Sequence, residues 1–169
     1  MSGLTSLGVV HTAISLVAVA AGFAALVQRR HILDGTAAGQ VYLWGTVLTC
    51  LTGFGIFQHG GFGKPHVLGI LTLLVLGIAA LARQPGRFGR ATRYIETVSY
   101  SLTFFFHMIP GFTETFTRFP SGAPLFSSPE DPALLKVIGV VFVLFLIGAA
   151  LQVRRLRAGG SLPVGTRPV

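Results

Sequence analysis

PALLKVIGVVFVLFLIGAALQV, residues 132–153, runs for 22 residues with Lys136 as its only charge. A helix rises about 1.5 Å per residue, so such a run matches the hydrocarbon thickness of a bilayer, which takes about 20 apolar residues to cross. Asp131 stands before Pro132. That pair marks a helix start, since the carboxylate accepts free N–H groups and proline suits the first helical position. Four further apolar runs lie upstream, at about 4–28, 37–59, 65–82 and 93–118. The spacing therefore predicts an all-α integral membrane bundle over residues 1–157 with five transmembrane helices. Four of them form a core and the fifth, 132–153, lies at the periphery. Residues 158–169 are polar and rich in Gly and Pro, and are expected to be a disordered cytoplasmic tail.

Composition agrees. Hydrophobic residues make up 51% of the 169-residue chain and charged residues 11%, whereas soluble domains carry about a quarter as charges. Too few charges remain to cover a surface in water. The single Cys50 lies in an apolar run and excludes a disulfide framework or a CxxC pair. No positive n-region precedes the first run and no small-residue cleavage pattern follows it, so it is expected to be retained as a helix.

The net charge of +8 is concentrated at particular places. Arg29 and Arg30 follow the first run; Arg83, Arg87, Arg90 and Arg93 lie between the third and fourth; Arg154, Arg155 and Arg157 follow the fifth. If the helices alternate in direction, all three places share one face, and the other keeps Lys64, Arg118 and Lys136. The positive-inside rule makes the arginine face cytoplasmic, with the N-terminus outside and the C-terminus inside. Membrane lipids, acidic headgroups in particular, are the expected partners of these charges, and nucleic acid is not.

Direction then places the histidines. His11, His59, His66 and His107 all fall toward the outer face, and His31 falls in a cytoplasmic loop among arginines. In the fourth run Glu96, Tyr100, Thr103, His107, Gly111, Glu114 and Arg118 recur at steps of three and four, which puts them on one stripe. Polar side chains do not face hydrocarbon cheaply, so the stripe faces the bundle interior. Pro110 predicts a kink beside His107. Tyr42, Thr46, Thr49 and Gly53 form a matching stripe on the second helix, and His11, Ser15, Ala18, Gly22 and Ala25 on the first. Gly53, Gly55 and Gly69 lie near the depth of His11, where absent side chains leave room for a planar group.

Two buried histidines at similar depth suggest ligands to a metal centre. One form is heme b held by His11 and His107, with Tyr100, Thr103 and Glu114 supplying hydrogen bonds or a proton path and Arg118 or Lys64 meeting the propionates. The chain would then be a small electron carrier working with a quinone or another redox membrane protein. A second form is zinc or copper on His11, His66, His107 and Glu114. A third possibility is a non-catalytic accessory or small-molecule-binding bundle, in which each histidine hydrogen-bonds a threonine, serine or carbonyl of a neighbouring helix. Glu114 stands four residues before Arg118, a favourable ion-pair order on a helix. Arg93 and the cytoplasmic arginines surround Glu96. His59 and His66 flank a glycine turn and are expected to be exposed. Trp44, Tyr42, Tyr94 and Phe119 lie near the interfaces as an aromatic belt. No nucleophile constellation and no phosphate loop is present, so the residues assign no catalytic group.

Gly39-Gln40-Val41-Tyr42, the Gly-rich turn at 60–63 and Lys64-Pro65-His66 resemble a group of small uncharacterised bacterial membrane proteins of unknown function, over roughly the first four helices. The resemblance implies a multi-helix bundle with scattered histidines in the bacterial inner membrane. The arrangement also resembles, in architecture, the four-helix bundles of the cytochrome b561 style, whose helix histidines hold b-type heme.

Overall fold

The computed structural model describes residues 5–33, 35–57, 61–120 and 122–158. They form five α-helices and one short 3-10 turn, with no β-strand among the described residues: α1 Ser6–Arg29, α2 Ala37–Gly53, α3 Lys64–Ala82, the turn Gly89–Ala91, α4 Thr92–Arg118 and α5 Pro132–Arg157. The expected tail from 159 onward and His59 lie outside the described residues.

The helix starts follow local chemistry. The Thr5 and Thr36 hydroxyls accept the Gly8 and Gly39 N–H groups, each at 3.1 Å, and the Asp131 carboxylate accepts that of Ala133 at 2.9 Å. Each side chain thereby satisfies an otherwise orphaned donor. α1 ends where Arg30 turns into the left-handed region at φ 65°, and its N–H bonds back to the Leu26 carbonyl at 2.8 Å. α2 stops at Gly53, short of the expected 59. Its last turn tightens into i→i+3 bonds, Gly55 N–H to Thr52 and Ile56 N–H to Gly53, which unwind the helix. α5 runs to Arg157, past the expected 153. Arg154, Arg155 and Arg157 complement the negative end of its dipole, and Leu156 anchors the added turn by burial.

α1 packs along α2, α3 along α4 and α4 along α5, while α2 touches α3 and α1 touches α4. Small residues set the α1–α2 approach. A Cβ on Gly45 would stand 2.9 Å from the Ala18 Cβ, and one on Gly22 would stand 2.7 Å from the Tyr42 ring. Side-chain bonds tie the arginine-bearing ends to one another. Gln152 Nε2 on α5 donates to the Arg30 carbonyl at 2.9 Å, and the Thr92 hydroxyl donates to the Ala82 carbonyl at 3.0 Å. At the opposite end Lys64 pairs with Glu130 at 3.2 Å. α5 is peripheral, as expected, and touches only α4 among the helices.

The packing is inverted relative to a water-soluble protein. Thr46, Thr49, Thr72, Thr97, Ser99, Ser101, Thr103 and His107 are buried, while Val17, Leu74, Val140 and Leu144 are each about 60% exposed. Large exposed apolar patches mark interaction or membrane-facing surfaces. α1, α3 and α5 are each long and apolar enough to cross a membrane.

Candidate functional site

The polar centre is built from α2 and α4, whose side chains bridge between them. Tyr42, fully buried, lies at its base. The Thr103 hydroxyl donates to the Tyr100 carbonyl at 2.9 Å, so the Tyr42 phenol donates to Thr103 at 2.7 Å. One turn above, the Thr46 hydroxyl donates to the Tyr42 carbonyl at 2.7 Å. Its proton is thereby used, and the 3.0 Å contact with His107 has the His107 Nε2–H as donor. The Tyr42 ring meets His107 edge-on at 6.0 Å and Phe104 at 6.3 Å. Tyr42 is therefore a core residue and not part of an aromatic belt. Trp44 does lie on the surface, its Nε1–H on Gln40.

His11 repeats the pattern on α1. The Thr52 hydroxyl donates to the Leu48 carbonyl at 2.8 Å, so His11 Nδ1–H donates to Thr52 at 3.0 Å. Each imidazole is thus held by a threonine of α2 through one nitrogen, leaving the lone pair of the other, Nε2 in His11 and Nδ1 in His107. The Nε2 atoms of His31 and His66 are buried without a partner. His11 and His107 lie within electrostatic reach of each other, and Glu114 within reach of His11. Threonine here does what second-layer groups do for ligating histidines: it fixes the tautomer and the ring orientation.

The remaining residues of the expected sites are distributed otherwise. The α4 stripe is buried at Tyr100, Thr103 and His107, but Gly111, Glu114 and Arg118 are exposed. α2 ends at Gly53 and leaves the outer turns of α4 without that neighbour. Glu114 pairs with Arg118 on its own helix, and Glu96 lies 3.7 Å from Arg83. His66 is buried, contrary to its expected exposure. It is stacked between Phe57 at 4.9 Å and Phe62 at 5.1 Å, with Nδ1 accepting the Gly63 N–H at 3.2 Å. Its neighbours come from a loop, where helical periodicity carries no information. Among the described residues no three His, Cys, Asp or Glu side chains converge as a metal group. His11, His66, His107 and Glu114 are therefore not gathered into the expected four-ligand set.

The room expected beside Gly53, Gly55 and Gly69 is also taken. Those positions are faced by the His11 ring at 3.2 Å, Leu7 at 2.9 Å and the Phe54 ring at 2.9 Å. These three glycines therefore leave no open face for a planar group, although two imidazoles match the donor set of a six-coordinate heme iron.

Gln152 escaped the sequence reading, as did the burial of His31. Ser101 donates to Gln152 Oε1 at 2.8 Å, so Gln152 joins α4, α5 and the end of α1. The signal was Gln152 as the one uncharged polar side chain of α5. His31, placed among loop arginines, is only 2% exposed. Its Nδ1–H donates to the Arg29 carbonyl at 2.7 Å. Burial holds its pKa below the usual imidazole value; the Arg29 carbonyl opposes that shift, and the Arg29 charge adds to it.

No family model, curated protein or solved structure matches this chain.

Proposed function

We propose that this chain is an integral membrane protein of the bacterial inner membrane with five spans, N-terminus outside, whose outer half binds a single copper or zinc ion between His11 and His107. The observation that carries the reading is the pair of imidazoles, each held by a threonine of α2 through one nitrogen and lying within electrostatic reach of the other. Imidazole nitrogen suits both ions. Two protein donors leave coordination positions open, which fits a metal handler or an open site better than a structural zinc, which takes four protein ligands. The likeness to small bacterial membrane proteins and to b561-style bundles belongs to the same proposal. The packing favours a bare ion over heme b.

α2 and α4 complete the five spans in this reading. α4 is 27 residues long, about 40 Å at the helical rise, and its polar side is buried from Thr97 to His107. α2 exposes Val41, Trp44, Leu48 and Leu51 outward.

The test is metal content and absorbance of the full chain purified in detergent. The expected result is about one copper or zinc per chain, as a two-histidine site would hold, with His11→Ala and His107→Ala each losing most of it. Thr46→Val, which frees the His107 ring, is expected to weaken binding about 10-fold or more. A Soret band would replace the bare ion by heme. Metal-free protein that takes up neither copper nor zinc would reduce the histidines to helix–helix hydrogen bonds and support the accessory reading.

A further inference from the structure

The arginine end carries a second site, unrelated to the histidine pair. A cavity of about 40 Å³ lies where the α1–α2 loop meets α4 and α5, lined by Arg29, Arg30, His31, Thr97, Gln152, Arg155 and Leu156. Three of these residues bear guanidinium groups and none bears a carboxylate. The pocket is also built. Gln152 clamps the Arg30 carbonyl while accepting from Ser101, so the loop, α4 and α5 hold one another in register. The left-handed Arg30 turns the chain sharply there, and His31 is buried beneath with its Nε2 unpartnered. Negative helix ends also converge, because α1 and α5 both terminate at this face. Part of the arginine charge answers those dipoles, but three forked donors around one cavity exceed that need.

We propose that this cavity receives the phosphate group of an acidic phospholipid. Guanidinium forks match phosphate oxygens two at a time, more specifically than a diffuse positive surface does. The volume has room for about two or three water-sized groups, which suits the oxygens of one phosphate and excludes a nucleoside. The position selects the lipid source. α1 and α5 are apolar enough to cross a membrane and end at Arg29 and Arg157, so the cavity lies at the level where headgroup phosphates meet the last apolar turns. Exposed Leu151 and Ile147, the turns of α5 just before the cavity, offer acyl chains an apolar path along that helix. The histidine pair of the opposite end plays no part. The inference rests on the membrane reading alone and stands or falls separately from metal binding.

The test uses the full chain in an uncharged detergent, with bound lipid measured by native mass spectrometry. The probes are phosphatidylglycerol, phosphatidylcholine and inorganic phosphate. Phosphatidylglycerol is expected to be retained at least about 5-fold more than phosphatidylcholine, as forked charge pairing predicts. Arg155→Gln and Arg30→Gln are each expected to abolish that preference, while Arg90→Gln, in the other arginine loop, leaves it intact. Arg155→Lys keeps the charge but not the fork and is expected to lose part of it. The elution volume and helical circular dichroism of each variant identify any that has not folded. Equal retention of both lipids, or equal loss in Arg90→Gln, would overturn the proposal. Inorganic phosphate displacing the lipid at millimolar concentration, or binding where the lipid does not, would overturn the lipid source. Failure of the membrane reading would appear differently, as a chain recovered in the soluble fraction without detergent.

Discussion

α4 and α5 are nearly equal in length, 27 and 26 residues, and lie side by side, yet they solve opposite problems. α4 buries Thr97, Ser99, Tyr100, Ser101, Thr103, Phe105 and His107, whereas α5 buries only Leu134 and Leu156. Phe105 is the apolar link between them, meeting Phe142 at 5.3 Å and Phe145 at 5.5 Å. In water an apolar helix such as α5 would be the core and a polar one the surface. Here the polar helix is inside. Lipid supplies no hydrophobic drive to bury α5, so close packing and hydrogen bonds must hold the centre together.

The strongest way to break this contrast is to empty the centre. Tyr42→Ala removes a fully buried ring and the phenol on Thr103, and is expected to destabilise by about 3–5 kcal/mol. Unfolding in mixed micelles measures it. Gly45→Ala comes next. The new methyl group meets Ala18 at 2.9 Å, with the Ala18 Cα at 3.3 Å unable to rotate away, at a cost of about 1–3 kcal/mol.

A smaller effect sharpens the comparison where α5 turns polar. His31, beside the Gln152 joint, is held below the ordinary imidazole pKa chiefly by burial. The folded state therefore binds fewer protons than the unfolded state. That contribution to stability is fully present above about pH 6.5, the unfolded value, and is lost as pH falls below it toward the folded value. Stability is expected to decline between neutral and mildly acid pH, and His31→Gln to flatten the decline. An unchanged pH profile in that variant would contradict the assignment. The smallest effect belongs to the outer face of α5. Leu144→Ala, 60% exposed, is expected to change stability by less than about 0.5 kcal/mol in micelles, because lipid tails replace the lost contacts.

The same contrast explains what could be read in advance. Apolar run length revealed five helices, of which α1, α3 and α5 are long and apolar enough to cross a membrane. The step of three and four along α4 identified Tyr100, Thr103 and His107 as inward-facing. It failed at Gly111, Glu114 and Arg118, since periodicity gives a direction but not the height of the neighbour, and α2 stops at Gly53. Stacking of His66 between Phe57 and Phe62 depends on a loop path that no periodicity encodes. The expected planar space near Gly53 was an inference from missing side chains, and the His11 ring itself occupies it. Gln152 was hidden by the apolarity of its own helix.

The central claim is that the histidine end and the arginine end face opposite sides of a membrane. Single cysteines in a Cys50→Ser background test it most directly, with a membrane-impermeant maleimide applied to intact cells. The account predicts labelling at Gly61→Cys and Leu125→Cys, beside the histidine end, and protection at Gly35→Cys and Phe88→Cys until the membrane is opened. Labelling of the second pair with protection of the first, or equal labelling of all four in intact cells, would contradict it.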